Sequence, residues 1–179
     1  MSNPVIDSLL ARLGDPELLK KLDGLPATEL NSLLLEVMRR RTVEISAGDL
    51  IKAYQSNRFV APSSVDPLSF LKSEIELLEL ARKEEFEALE LSPLAPLGSC
   101  SAIGLADQNK IVSALRGTEV VADATNLMAL ESSVRRKESA FDRSIINLCT
   151  IHRHVRAQAV PKAKGFTAHF KIFCALTAG

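Results

Sequence analysis

The order of apolar and polar positions divides the chain into a helical first third and a mixed remainder. Asp15-Pro16 has the character of a helix cap, as does either Ser46 or Asp49, and Gly24 is a helix breaker. Apolar residues recur at helical spacing over residues 4–13, 17–22, 29–41 and from about 47 to 54. We therefore predict a module of four short helices over residues 1–58, followed by a linker over residues 59–67 that contains Ser and Pro.

After the linker, helical and strand periodicity alternate, which indicates an α+β fold. Asp66-Pro67 predicts the start of a long helix that runs to about Glu84 with a broad apolar stripe. Thr125 predicts the cap of a second helix, which ends in Arg135, Arg136 and Lys137. Strand patterns cover residues 86–91, 119–122, 147–158 and 166–176. We expect a partial antiparallel sheet with flanking helices over residues 68–179.

The last two strand patterns form a hairpin whose loop contains Lys162 and Lys164. Strand period two places four polar side chains on one face, namely His152, His154, Arg156 and Gln158. It places Cys149, Ile151, Val155 and Ala157 on the other, which has the composition of a core face. A polar, cationic face beside aromatic residues suits an anionic ligand with a flat ring, such as a nucleotide. The alternative is a buried hairpin whose charged residues are merely exposed.

Charge changes this picture only locally, because 22 basic and 22 acidic residues leave no net charge. Residues 66–90 contain eight acids and three bases, whereas residues 135–171 contain nine bases and two acids. This asymmetry favours either an anionic ligand near the C-terminal half or charge pairing between the two halves.

The three cysteines, Cys100, Cys149 and Cys174, are widely spaced and form no CxxC motif, so no zinc ribbon is expected. The pair His152 and His154 is a rival metal chelate, but no third ligand lies near it in sequence, and we predict no metal site. No apolar run approaches the ~20 residues that a membrane helix needs. The cytoplasm is therefore the expected location, with no membrane partner.

Several local motifs resemble the first half of a class II aminoacyl-tRNA synthetase catalytic domain, nearest to the histidyl-tRNA synthetase type. The long helix followed by FEALELSPLAP resembles motif 1, in which a dimer-interface helix leads to a strand ending in Pro, here Pro93. VADATNLMALE stands where the family has an Arg-Pro-Glu-Thr stretch. VRAQ followed by KGFTAHF resembles motif 2.

The resemblance implies ATP with Mg²⁺ as cofactor, bound by motif 2 residues. Arg156 would hold the α-phosphate as the catalytic residue. Phe170 would stack on adenine, with Phe173 as the fallback, and Gln158 would contact the adenine amino group. The loop residues Lys162 and Lys164 would add positive charge near the nucleotide. The same resemblance implies a homodimer through the helix over residues 68–84 and raises tRNA as a further partner.

Departures from the family pattern favour a protein that binds without catalysing. Ala122-Asp123-Ala124 replaces the Arg-Pro-Glu residues, and Gln158 stands where an acid is usual. Motif 3 is expected after motif 2, and the sequence ends at Gly179. We therefore expect a noncatalytic or incomplete class II synthetase-like protein, a nucleotide-binding or regulatory or assembly subunit. The alternative is the half of an ATP-dependent ligase that forms an acyl-adenylate when a C-terminal segment completes it.

Overall fold

The structure, a computed structural model, describes residues 3–138, 144–159 and 166–179. Within these residues it contains helices and two small sheets, which confirms the α+β class. The helices are α1 (Pro4–Leu13), α2 (Leu18–Asp23), α3 (Ala27–Thr42), α4 (Ala47–Ser56), α5 (Pro67–Lys83), α6 (Ser99–Ala102), α7 (Ala124–Glu138) and a 3₁₀ turn (Gln108–Lys110). The strands are β1 (Glu87–Ala88), β2 (Leu94–Pro96), β3 (Ser113–Ala114), β4 (Thr118–Val120), β5 (Ile146–Val155) and β6 (His169–Ala178).

The helix starts follow from local capping chemistry. Ser46 accepts a hydrogen bond from the amide of Asp49 while the Asp49 carboxylate accepts one from the amide of Ser46, a complete capping box at α4. Asp66 accepts from the amide of Ser69 at the start of α5, where Pro67 is the first helical residue. These caps satisfy amides that have no partner inside the helix, which is why the starts of both helices were predictable.

Contacts divide the chain into two compact units. The first extends to Ile45 and includes Leu115–Gly117, and the second comprises Ser46–Ala114 and Thr118–Gly179. Within the first unit, the amide of Arg116 donates to the side-chain oxygen of Asn31 at 2.8 Å. No residue of α1, α2 or α3 is buried; some of their apolar side chains, such as Leu34, are half-buried, and others, such as Met38, are exposed. The boundaries predicted at residues 58 and 67 stay a prediction.

The larger sheet of the second unit has the strand order β1-β5-β6. β5 and β6 pair antiparallel over their whole length, with His154 opposite Phe170 and Ile151 opposite Phe173. β1 is only two residues long and runs parallel to β5, so the sheet is not purely antiparallel as expected. α7 packs against both β5 and β6, while α5 packs against β1 and β5. The predicted hairpin is confirmed, and the predicted strand over residues 86–91 is much shorter.

The β5 face predicted to be polar is the more deeply buried one, although Cys149 on the predicted core face is fully buried too. Leu148, Thr150, His152 and His154 share one face and are all at least 94% buried, whereas Arg153 on the other face is exposed. The polar side chains tolerate burial because each bonds to a backbone group of another element: Thr150 donates to Leu89 O, and His152 contacts Ser92 O. The two-residue periodicity of a strand assigns side chains to the correct faces. It cannot show which face has hydrogen-bond partners for its polar groups.

The smaller sheet, with the strand order β2-β4-β3, lies beside the main core. Its residues and those of α7, β5 and β6 enclose one apolar cluster, which contains Ala95, Val121, Ala124, Met128, Leu148 and Cys174. A second, smaller cluster consists of Cys100, Ile111 and Ala122. The two clusters meet at consecutive residues Val121 and Ala122, and the candidate site begins there. No helix in the described ranges is long and apolar enough to cross a membrane.

Candidate functional site

A cavity of about 300 Å³ lies between the end of β5 and the segment that follows α6. Arg156 and Gln158 both line it, so the structure brings together two of the predicted site residues. The remaining wall includes Cys100, the 3₁₀ turn, Asp123 and the start of α7. The volume is at the lower end of the range for small-molecule sites.

Arg156 is held at the cavity wall by three contacts. Its Nε donates to the carbonyl of Ala122 at 3.0 Å, and Nη2 lies 3.7 Å from Oδ2 of Asp123. The guanidinium carbon lies 5.3 Å from the centroid of the Phe170 ring, in the geometry of a cation–π contact. The side chain keeps 34% of its surface exposed. The guanidinium is therefore oriented by fixed neighbours while part of its donor edge faces the cavity.

Other polar groups around the cavity carry both signs of charge. Lys110 forms no ion pair within 4.0 Å in the part of the chain that the structure describes, and it is exposed. Asp107 accepts hydrogen bonds from the amide and the side chain of Asn109, each at 3.0 Å. Asp123 caps α7, because its Oδ1 accepts from the amide of Thr125 at 3.0 Å and from the hydroxyl at 2.7 Å. The cavity is thus lined by two cations, Arg156 and Lys110, and by two carboxylates that already accept hydrogen bonds from neighbouring residues.

Neither aromatic residue predicted to stack on adenine is among the described residues that line the Arg156 cavity. Phe170 contacts both Arg156 and the ring of His154, 6.0 Å away in an edge-on arrangement. It lines a neighbouring cavity of about 400 Å³ together with Phe70 and Leu71, and it is not among the described residues around the Arg156 cavity. Phe173, the fallback, is half-buried in the middle of β6. Lys162 and Lys164 lie outside the described residues, so their predicted role is untested.

His154 is a structural residue at the centre of this region. It is fully buried, and its Nε2 accepts a hydrogen bond from the amide of Ala124 at 3.0 Å. A backbone amide only donates, so neutral His154 carries its proton on Nδ1. The pKa of His154 is lowered to about 4, mainly by burial; the carboxylate of Asp123 opposes this shift, and the charges of His152 and Arg156 add to it.

The arrangement of the two histidines argues against a metal chelate. The lone pair of His154 Nε2 is used by the Ala124 amide, and Nδ1 of the neutral ring bears the proton. His152 contacts the carbonyl of Ser92 through Nε2 at 3.1 Å, a bond in which the ring nitrogen donates. No group of three His, Cys, Asp or Glu side chains suited to a metal ion occurs in the described ranges.

Glu119 is a site residue that the sequence analysis did not select. It is 1% exposed, and its carboxylate accepts hydrogen bonds from the amides of Gly98 at 2.8 Å and Cys100 at 2.9 Å and from the side chain of Gln108 at 2.9 Å. It therefore fixes the segment that forms one side of the cavity. A lone acid within the apolar run TEVVA was the available signal, because a buried carboxylate requires several donors.

The Cys100 thiol completes this side of the cavity. Burial raises its pKa, and the carboxylates of Glu119 and Asp123 raise it further, against a smaller opposing effect of Arg156. The thiol is therefore protonated at neutral pH and is a poor nucleophile. The cavity provides binding groups and an oriented cation, and it does not contain an activated nucleophile among its described residues.

Comparison with solved structures finds similarity to a pyrrolysyl-tRNA synthetase from Desulfitobacterium hafniense. Two such structures match at 9% and 11% sequence identity, each with a TM-score of 0.45 over 70% of this chain. The matched regions cover 40% and 42% of the synthetase chains, so this chain spans about two fifths of their length. No protein-family model and no curated protein matches the sequence. The histidyl type that the motifs resemble stays a prediction.

His154 generates a prediction about stability and pH. Because the folded state lowers the His154 pKa from 6.5 to about 4, the unfolded chain takes up this proton first on acidification. We expect the free energy of unfolding to fall from pH 6.5 to pH 4.5, with a slope approaching ~1.4 kcal/mol per pH unit. Urea denaturation at three pH values in this window measures the slope. The variant His154→Gln should be less stable at pH 6.5 and show a flatter profile; equal slopes would contradict the assignment.

Glu119 generates a second prediction. The variant Glu119→Gln places an amide NH₂ group where a carboxylate oxygen accepts from a donor, so at least one hydrogen bond is lost and two donors face each other. We expect a loss of about 1–3 kcal/mol in the free energy of unfolding, measured by urea denaturation at neutral pH. The exposed Glu84→Gln is the matched control and should change stability by less than about 0.5 kcal/mol. A similar loss in both variants would show that the bonds to Glu119 contribute little.

Proposed function

We propose that the chain is a noncatalytic, class II synthetase-like protein that binds a nucleotide at Arg156 and serves as a regulatory or assembly subunit. The observation that carries this proposal is the state of Arg156, which is oriented by Ala122 and Phe170 and is one-third exposed at a cavity wall. A planar guanidinium held in this way presents paired N–H donors to a phosphate. Such preorganisation reduces the cost of ordering the side chain on binding.

The other groups around the cavity suit the remaining parts of a nucleotide. Lys110 supplies a second cation for a polyphosphate, and Gln158 supplies an amide that can donate to and accept from a base. Phe170 contributes by holding the Arg156 guanidinium, while its stacking on adenine stays a prediction. The residues also fit Mg²⁺ as a partner of ATP, because the carboxylates of Asp107 and Asp123 are hard oxygen donors at the same cavity.

The noncatalytic part of the proposal rests on two positions. The family's acid at the second site of motif 2 is Gln158, an amide without charge. Asp123, within the stretch that replaces Arg-Pro-Glu, uses its carboxylate to cap α7 and to face Arg156. Gln158 lacks the charge of the family's acid, and the Asp123 carboxylate is already engaged by α7 and Arg156, so recognition of an acyl substrate lacks its usual groups. Exchange of pyrophosphate into ATP would favour the ligase alternative instead.

A homodimer through α5 is the second part of the proposal. Leu68, Leu71 and Ile75 lie on one face of this 17-residue helix and are between 49% and 70% exposed. A continuous exposed stripe of this kind is typical of a surface that a partner covers. A second copy of the chain would bury the same stripe on both sides, as a twofold interface requires.

The nucleotide proposal predicts that Arg156→Lys weakens ATP binding, because an ammonium cannot reproduce the guanidinium fork. Calorimetric titration of ATP with Mg²⁺ should show a loss of about 1–3 kcal/mol relative to the unaltered chain. Arg82→Lys is the matched control, since Arg82 is exposed near the end of α5 and does not line the cavity. Absence of ATP binding by the unaltered chain, or equal affinities of all three proteins, would refute the proposal.

The dimer proposal predicts that Leu71→Lys combined with Ile75→Lys produces monomer or aggregate, because two charges would be buried at the interface. Sedimentation equilibrium at high micromolar concentration measures the mass. Ser73→Lys is the control on the other side of α5 and should leave the dimer intact. Sedimentation of the unaltered chain as a monomer at that concentration would contradict the proposal.

A further inference from the structure

We propose that Arg58 is a positioning residue for the nucleotide site. Its guanidinium binds the backbone of Ala157 and Gln158, the residues that follow Arg156, and so sets where Arg156 and Gln158 present their side chains. This inference rests on the proposed nucleotide function, and it assigns a role to a residue that lies about 100 positions away from the site in sequence.

The contact itself is bidentate. Nη1 of Arg58 donates to the carbonyl of Gln158 at 2.6 Å, and Nη2 donates to the carbonyl of Ala157. The planar fork of a guanidinium fits two neighbouring acceptors, which the single point charge of an ammonium cannot do. The guanidinium carbon also lies 4.6 Å from the centroid of the Phe59 ring, a cation–π contact that orients it.

The backbone at the end of β5 needs such a partner. Its amides are used by three separate segments: Val155 N donates to Val121 O, Arg156 N to Ala168 O and Ala157 N to Lys110 O. The carbonyls of Ala157 and Gln158 lie beyond the last paired residue of the β5–β6 ladder. Arg58 donates a hydrogen bond to each of these carbonyls. The end of β5 beside the cavity is therefore held in two ways: its backbone amides donate to three other segments, and the carbonyls that follow accept from Arg58.

A second tether from the same segment reaches the other stem of the hairpin. His169 Nε2 contacts the carbonyl of Ala61 at 2.7 Å, while Nδ1 is 2.8 Å from Nη1 of Arg153. These two contacts fix the tautomer of His169, because the Ala61 carbonyl only accepts and the Arg153 guanidinium only donates. Residues 58–61 therefore hold both stems that flank residues 160–165, a range that contains Lys162 and Lys164.

The charge of Arg58 distinguishes this contact from an ordinary surface ion pair. In the described ranges, no carboxylate lies within 4.0 Å of the Arg58 guanidinium. The cation therefore donates its hydrogen bonds to two neutral backbone carbonyls and is not neutralised by an ion pair there. Hydrogen bonds from a cation are stronger than those between neutral groups. Arg58 is therefore suited to fixing a backbone position, with the positive charge as a further attraction for an anion nearby.

The test is a double-mutant cycle on ATP affinity. Calorimetric titration of ATP with Mg²⁺ compares the unaltered chain with Arg58→Ala, Arg156→Lys and the combination of the two. We expect Arg58→Ala to weaken ATP binding about tenfold. This is the lower end of the loss in affinity seen when a residue that orients the ligands of a metal site is removed. If Arg58 acts by aligning Arg156, the second substitution should add little to the first. Arg82→Ala, at the exposed end of α5, is the matched control and should bind as the unaltered chain does.

The outcomes separate the two proposals. Absence of ATP binding by the unaltered chain overturns the nucleotide function and the inference together. Binding that Arg58→Ala leaves unchanged overturns the inference alone, as do fully additive effects in the cycle, which would indicate that Arg58 stabilises the fold without aligning Arg156. Circular dichroism checks folding, and if Arg58→Ala is unfolded, Arg58→Lys replaces it in the same cycle, since it keeps the charge and loses the fork.

Discussion

The hydrogen bond from the Ala124 amide to Nε2 of His154 connects the two elements that create the site. His154 is fully buried on β5, and Ala124 is the first residue of α7, also fully buried. The bond places Ala122 and Asp123, which precede the helix, directly beside the end of β5. Arg156, two residues after His154, then binds the Ala122 carbonyl and faces Asp123. A buried histidine thereby determines the geometry of a half-buried arginine, and the neutral state of the histidine is part of that geometry.

From Val155, the last residue paired in the β5–β6 ladder, the chain connects the two sheets. Val155 bonds to the residue after β4, Arg156 bonds to the residue before β6, and Ala157 bonds to the 3₁₀ turn. The smaller sheet is itself organised around the buried carboxylate of Glu119, which holds the amides of Gly98 and Cys100. The cavity lies where these constraints meet. Its walls are consequently backbone segments that are fixed by hydrogen bonds, and this rigidity is the condition under which an oriented guanidinium favours a bound anion.

The sequence predicted those features that depend on neighbours within a few residues. Asp66-Pro67 and Ser46 define helix starts because the capping bonds are local, and the β5–β6 hairpin follows from strand periodicity. The burial of the polar β5 face could not be predicted, since the groups that satisfy Thr150, His152 and His154 come from positions 61, 60 and 30 residues away. Arg156 and Gln158 were identified from a motif resemblance, whereas Arg58 and Glu119 act through distant backbone groups that leave no local pattern.

Ion pairs connect some of the bases of the C-terminal half to acids elsewhere in the chain. Arg135, near the C-terminal end of α7, binds Glu87 and Glu131, and Lys171 of β6 binds Glu74 of α5, so the basic C-terminal half neutralises part of the acidic region around α5. Arg156 itself faces Asp123 at the longer distance of 3.7 Å. The described cavity therefore offers an anion a few directed N–H donors in place of a broad positive field. Affinity at such a site depends on the alignment of Arg156, and for this reason the residues that hold its backbone matter as much as its charge.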